Sequence, residues 1–465
     1  MKKDRFSWVG LAAKVLLILL PVLWGLFAVW KFGVNVAWAD EMRFFQNRQH
    51  FLSFEYLWAQ HNEHRMLFPK LFAWLIGSVF SWNSKAFMYF SQILLFIVYY
   101  LVLRLVLNGR KFKAIGWLDA VEIFCLGLCV YNMAQHENLL WGFQVAWVMI
   151  VSFGMLSFCV FDRYLRTKKR RDLFLAMLFA VVVSFSSMHG LAVWGGYILI
   201  LLARLVFREK LSIGTCLTVG LTCVITVGLY FYKWEPVAMH SELMGKTLEQ
   251  IGTYFLGMIG WSVLSTGGLC YLAGFVLAVL AACWIAKCFA EKALIVHIRI
   301  CGPMMLGLGA MTMIATGRSS GATGQIMQSR YVTNSMLFLV LFMVICIRSV
   351  REFKNGGGIT AVSGTESSGD RIRRVTKVFT RGFAYIGSFL FICLSILLAF
   401  RNAGMVSAMR DSQAYRTEVK KTMQNDQSLG LGDYQIIHPM TEDELDEWVS
   451  VFDRMKDEKL NAFAD

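Results

Sequence analysis

The chain has 465 residues, 57% of them hydrophobic and only 17% charged, with a mean hydropathy of +0.54. Soluble domains run about 45–50% apolar and about 25% charged, so these values exclude an ordinary soluble domain and point to a polytopic membrane protein. The net charge of +15 needs no nucleic-acid partner, because the basic residues cluster in short loops between apolar runs. That pattern reads as anchoring on the inner side, with attraction to anionic membrane lipid.

Apolar runs of about 20 residues cross a bilayer as helices. Eleven such spans are predicted, at roughly 11–30, 86–107, 118–135, 143–161, 173–188, 190–206, 212–232, 267–290, 300–316, 334–349 and 382–400. The runs are long and lack strand alternation, which favours an all-α bundle over a barrel. Lys2, Lys3 and Arg5 place the N-terminus inside. Counting crossings from there keeps the basic stretches 110–113, 163–171, 204–210, 287–299 and 348–381 in the cytoplasm. Ala37-Trp38-Ala39 mimics a signal-peptide cleavage site, but the apolar run before it exceeds the 7–15 residues of a typical signal core. The first span is therefore expected to be retained. All eleven cysteines fall in or at the ends of apolar spans, which suits buried small hydrophobes and gives no disulfide framework.

The first exterior loop is long, about Lys31 to Lys85, and mixes aromatics with charges as interfacial helices do. It opens with Asp40-Glu41. Paired carboxylates at a membrane boundary can act as base and orienting group, and partial burial would raise a pKa toward a working range. A hydrated helix end is the plainer reading.

Further along the loop stands Gln60-His61-Asn62-Glu63-His64-Arg65. These residues can bind a sugar or phosphate, or a divalent metal through His61, Glu63 and His64, or form an ordinary interfacial loop. The spacing is not that of HExxH, and the cofactor is left open. The apolar stretch from Met66 to Trp82 is short, and is read as an interfacial or re-entrant helix. A second stretch of this kind covers Ile251 to Leu264.

Gln135-His136-Glu137-Asn138, followed by Trp141 and Gln144, is more polar than a plain hairpin between helices needs. Ser186-Ser187-Met188-His189-Gly190 reads as a broken helix tip, a form tolerated at membrane depth where it lines a cavity. His189 fits a site residue and a packed core histidine equally.

Arg318 and Arg330, the latter followed by Tyr331, flank a Gly/Ser-rich exterior stretch. Arginine forks suit phosphate oxygens, and glycine allows close backbone approach. Anchoring of helix ends by snorkelling is the alternative.

Residues 355–369 read as a flexible cytoplasmic linker. The chain divides into a membrane domain, 1–400, and an exterior acidic tail, 401–465. In the tail, Thr441 and Glu444 have capping-box spacing ahead of an amphipathic helix carrying Leu445, Trp448, Phe452 and Met455.

Together, the acidic pair after the first span, the long first loop, His61 to Pro69 leading into an apolar stretch, and the pieces QHENLLWGFQ and GRSSGATGQIMQSRYVT resemble the GT-C superfamily of integral-membrane glycosyltransferases. The resemblance is to bacterial mannosyl- and arabinosyl-transferase-like members and covers roughly residues 1–400. The Trp-Trp-Asp motif of oligosaccharyltransferases is missing. The resemblance implies a polyprenyl-phosphate sugar donor, inverting transfer on the exterior face of a bacterial inner or plasma membrane, and a cell-envelope glycan, lipid or protein acceptor. It implies that Asp40, with or without Glu41, is the base. Arg318, Arg330 and Tyr331 would hold the donor phosphate. His61, Glu63, His64, Arg65, Gln135, His136, Glu137, Asn138, Trp141 and His189 would shape the substrate pocket. Two other readings stay open: a transporter or flippase for lipid-linked or polar substrates, and a surface-polysaccharide polymerase or ligase.

Overall fold

The computed structural model describes residues 2–46, 53–209, 212–237, 241–265, 267–293, 297–320, 328–354, 369–425, 430–438, 440 and 442–464. His50, His240, most of the linker, the stretch 321–327 between Arg318 and Arg330, and Thr441 lie outside the described residues.

The protein is an all-α polytopic membrane protein. Its helices are α1 (Lys2–Phe32), the short α2 (Arg43–Gln46) and α3 (Phe54–Trp58), α4 (Leu67–Val79), α5 (Ser84–Leu107), α6 (Trp117–Val130), the short α7 (His136–Leu140), α8 (Val145–Thr167), α9 (Arg170–Ser184), α10 (Val193–Val206), α11 (Ile213–Phe231), α12 (Leu248–Trp261), α13 (Gly267–Ala290), α14 (Ile298–Arg318), α15 (Val332–Lys354), α16 (Gly369–Gly404), α17 (Val406–Gln424), α18 (Leu431–Ile437) and α19 (Leu445–Asp457). A two-residue hairpin pairs β1 (Gln60–His61) with β2 (His64–Arg65), His61 facing His64 in register.

Among the described residues, ten helical stretches are long and apolar enough to cross a membrane. They match ten of the eleven expected spans. The stretch expected at 173–188 differs. Its helix α9 has 15 residues, about 22 Å at 1.5 Å per residue and short of a hydrocarbon core of about 30 Å. It ends in a turn and a 3-10 segment, Met188–Ala192. Buried Ser184, Ser186 and Ser187 interrupt the apolar run there. The two short stretches read as interfacial or re-entrant form helices, α4 and α12.

Helix α15 is the axis of the bundle, with 94% of its most apolar window buried. It packs on α6, α14 and α16. The apolar flanks of α1, α11, α13 and α16 are largely exposed, as lipid-facing sides are. Helices α12 and α13 pack closely because Gly260 lies against the Cys270 carbonyl, where a Cβ would come within 1.8 Å of that oxygen.

The two ends of the bundle differ in chemistry. One end holds Arg110 on Asp119 (2.7 Å), Arg351 on Asp119 and Glu122, Arg163 on Asp172 (2.7 Å) and Arg299 on Asp162 (3.1 Å). The other gathers the first loop, the starts of α5, α8, α10 and α15, and the last turn of α14.

The helix read as the last span continues beyond the bundle. The helical stretch Thr380–Gln424 covers 45 residues, apolar in its first half and broken only near Met405. At about 1.5 Å per residue it is roughly twice as long as a bilayer core requires. Its second half, α17, therefore stands over the loop end, and the tail folds there. Val419, Met423, Tyr434, Ile437, Trp448, Val451, Phe452 and Met455 share a second core with Val36, Met42, Phe44, Phe45, Trp82 and Phe87. Helix α19 forms as expected, with Trp448, Phe452 and Met455 buried.

Candidate functional site

Asp40 and Glu41 sit in one turn of 3-10 helix, Ala39–Met42, directly after α1. Ala39 has φ +47, which turns the chain sharply out of the helix axis. Neighbours in such a turn point in different directions, and the two carboxylates meet different surroundings. Glu41 is fully buried and its Oε1 accepts from Ser84 Oγ at 2.6 Å. The Gly142 and Phe143 amides also act on the carboxyl, and its Oε2 is buried without a hydrogen-bond partner. Gly142 is required here, since a Cβ would fall 2.6 Å from Glu41 Oε1. Burial pushes the Glu41 carboxyl up to about 7, against the lowering pulls of Ser84, the Arg416 charge, and the Phe143 and Gly142 amides.

Asp40 keeps 36% of its side-chain surface, with Oδ1 3.7 Å from Nε2 of His61. His61 is buried on the edge of Phe143, ring centroids 5.1 Å apart. Burial pushes its imidazole down to about 3, with His64, Arg43 and Lys70 acting in the same direction and Glu63 opposing. His61 is therefore neutral near pH 7. It contacts Asp40 as a dipole, although the separation would suit an ion pair.

The hairpin carries the site to its second half. Glu63 pairs with Arg318 at the end of α14 and lies 3.8 Å from His64 Nε2. His64 Nδ1 accepts the Met188 N–H at 3.4 Å, so in the neutral ring the proton sits on Nε2, toward Glu63. His189 is buried, with Nδ1 3.2 Å from Ser187 Oγ and its ring 4.2 Å from that of Trp147. Trp147 in turn contacts Tyr331 at 5.6 Å.

A third group links α7 to the turn before α15. Ser329 Oγ donates to the Ala134 carbonyl (2.7 Å) and accepts the Glu137 N–H (3.1 Å). Its single hydrogen is then committed, so His136 Nδ1, at 3.2 Å, is the donor to it. Glu137 Oε2 accepts from Arg330 N (3.2 Å). Asn138 donates to the Arg330 carbonyl (2.8 Å) and to Thr333 Oγ1 (2.6 Å), and Thr333 donates to Gln135 Oε1 (2.7 Å). Trp141 stacks on Trp38 at 4.6 Å.

The sequence-derived residues thus converge, but in different capacities. Asp40, His61, Glu63, His64, His136, Glu137, His189, Arg318, Arg330 and Tyr331 line one connected layer. Gln135 and Asn138 are buried in framework hydrogen bonds. Arg65 spends its donors on the carbonyls of Trp58, Tyr230, Tyr232 and Lys233 and stacks on Trp58, which makes it a clamp for the hairpin. Within the hairpin, His61 contacts Asp40 and His64 contacts Glu63. Among the described residues no group of three His, Cys, Asp or Glu side chains could hold a metal ion.

Sequence reasoning missed four participants. Ser84 opens α5 and looks like a plain helix start. Arg416, His438 and Asn461 come from the tail. Arg416 lies 5.5 Å over the Trp38 ring. His438 Nδ1 donates to the Ala39 carbonyl at 2.8 Å. The one hint of His438 in the sequence was that seven of the eight histidines, this one included, fall in segments expected on the exterior side.

Fold and site define a polytopic α-helical membrane protein with a layer of titratable side chains at one end of its bundle. Comparison with family models, curated proteins and solved structures gives no match.

Proposed function

We propose that the protein transfers a sugar from a polyprenyl-phosphate-linked donor to a cell-envelope glycan, lipid or protein acceptor, as a GT-C-type glycosyltransferase. The basic end of the bundle faces the cytoplasm, and the histidine-rich end, with the tail, faces the exterior of a bacterial plasma or inner membrane. The observation that carries the reading is the split environment of the acidic pair. Asp40 is half-open beside a neutral histidine, whereas Glu41 is fully buried and bonded by Ser84. Two carboxylates with separated surroundings can take separate roles. Asp40 is the base and Glu41 the orienting group.

In this reaction Asp40 takes the proton of the acceptor hydroxyl as its oxygen bonds to the sugar C1. The bond from C1 to the phosphate oxygen breaks, and polyprenyl phosphate leaves. Arg330 and Arg318 lie within the layer and would steady the departing phosphate. Arg318 reaches it in competition with Glu63. The interfacial helices α2, α3 and α4 suit a lipid-borne donor entering from the side.

The test measures transfer from a polyprenyl-phosphate sugar pool and donor-lipid binding in parallel. Asp40→Asn keeps shape and removes basicity. Transfer should fall about 10²–10⁴-fold while donor binding survives. Normal transfer by Asp40→Asn would remove Asp40 as base, and normal transfer by both Asp40→Asn and Glu41→Gln would sink the transferase reading.

A further inference from the structure

Arg416 is 2% exposed. Its Nε and Nη1 have no hydrogen-bond partner, and no carboxylate lies within ion-pair distance among the described contacts. A buried guanidinium is costly unless charge or hydrogen bonds compensate it. The carboxylates acting on it are Glu41 and Glu137, and the Trp38 ring supplies a cation–π face at 5.5 Å. Tyr415, the preceding residue, meets the other edge of this aromatic group, 5.6 Å from Trp38. One turn of α17 therefore covers the Trp38–Glu41 turn.

The same tail grips that turn twice more. His438 holds the Ala39 carbonyl. Asn461 accepts from Ala37 N (2.6 Å) and Asn35 Nδ2 (2.8 Å), and donates to the Trp82 carbonyl (2.7 Å) and to Ser84 Oγ (2.9 Å). Ser84 is the residue that donates to Glu41.

We propose that the C-terminal segment is a working part of the site, with Arg416 as its positioning residue. Its charge holds the Glu41 carboxylate against Ser84 and the Gly142–Phe143 backbone, and so fixes the turn that presents Asp40. The consequence for catalysis rests on the transferase reading; the electrostatic hold on Glu41 does not. Among the described residues, the titratable or charged groups around this turn include Asp40, Arg43 and His61 on the first loop, His136 and Glu137 on α7, and Arg416 and His438 on the tail. Arg416 is the cation that acts on Glu41.

The experiment uses the purified full-length chain and follows the infrared carboxyl band that disappears in Glu41→Gln. In Arg416→Gln the protonated band of Glu41 should persist to higher pH by about 1 unit or more, as loss of a near opposite charge dictates. Arg416→Lys keeps the charge and should titrate like the parent. Transfer by Arg416→Gln should fall at least about 10-fold in kcat, with donor KM unchanged, consistent with a group acting through the catalytic turn. An unmoved Glu41 band in folded Arg416→Gln overturns the proposal. Should Arg416→Gln not fold, the double variant Arg416→Gln/Glu41→Gln decides. Recovery of folding supports the charge relationship, and no recovery overturns it. A shifted Glu41 band in a protein whose parent shows no sugar transfer would leave the positioning role standing and discard the transferase reading.

Discussion

Asn461 donates to the Ser84 hydroxyl at 2.9 Å, and Ser84 donates onward to Glu41 at 2.6 Å, joining residues 377 positions apart to the acidic turn through one shared oxygen. The direction of each bond follows from the chemistry. The asparagine amide nitrogen can only donate, so the serine oxygen accepts there and passes its own hydrogen to the carboxylate. Tail docking and the placement of Glu41 are thus one hydrogen-bonded unit.

Asn461 is fully buried and has φ +52, a conformation that asparagine tolerates better than most side chains. Asn461→Ala would leave the Ala37 N–H and the Trp82 carbonyl without these partners and keep the backbone cost. A loss on the order of 2–4 kcal/mol is expected, from about 1–3 kcal/mol per stranded buried group with partial relaxation. Thermal unfolding in detergent should show it. Loss of protection from proteolysis in the tail should accompany it. A variant as stable as the parent would mean that water or a neighbour replaces these bonds without cost.

The Glu41 carboxyl supplies a pH signature. Burial raises it from its ordinary value of 4.5 to about 7. A carboxyl raised on folding contributes stability that is fully present below pH 4.5 and is lost as pH rises through about 7. The shift corresponds to roughly 3 kcal/mol at most. His61 works in the opposite sense: its imidazole falls from 6.5 to about 3, so its contribution is present above pH 6.5 and is lost as pH drops. The two overlap between pH 4.5 and 6.5 and partly cancel in the parent. The difference in stability between the parent and Glu41→Gln isolates the carboxyl, and should shrink as pH rises from 4.5 to 7. A difference independent of pH across that window would show that Glu41 titrates normally.

Much of this layout was legible in the residues. Apolar length located ten of the spans, and the break at Ser186-Ser187-Met188 was visible as a polar interruption. The polar groups at 40–41, 60–65, 135–138, 318 and 329–331 do meet at one end, because the α9 segment, though short, still runs from Asp172 beside Arg163 to Met188 beside His64 and so keeps the parity of the eleven expected runs. Pairings were not legible. Nothing in the order of residues says that Arg318 reaches Glu63, 255 positions away. Likewise, Arg65 bonds carbonyls at the end of α11 and just beyond it, at Tyr230, Tyr232 and Lys233. In the tail only the amphipathic helix was legible. The tail's acidic composition describes a solvated surface, while the buried Arg416 and Asn461 are single residues without any periodic signal. Their role depends on α17 continuing past the bilayer thickness, and a hydropathy reading stops where the apolar run stops.

The Arg318–Glu63 pair separates two uses of one arginine. Each side chain retains 17% of its surface, so the pair is largely desolvated. Arg318→Ala would leave Glu63 beside His64 without its cation. Breaking a buried pair from one side costs more than the pair contributes, on the order of 3 kcal/mol. Removing both partners takes the stranded charge away, and Arg318→Ala/Glu63→Ala should recover a substantial part of that loss. The double-mutant cycle on unfolding free energy then gives the coupling, and additive single effects would argue against it. Activity reads the other use. If Arg318 also steadies the donor phosphate, the double variant regains stability but not transfer, and Glu63→Ala alone, which removes the competing carboxylate, keeps transfer or raises it. Transfer restored together with stability in the double variant would show that Arg318 serves only to hold Glu63 and the hairpin, leaving Arg330 as the cation for the leaving group.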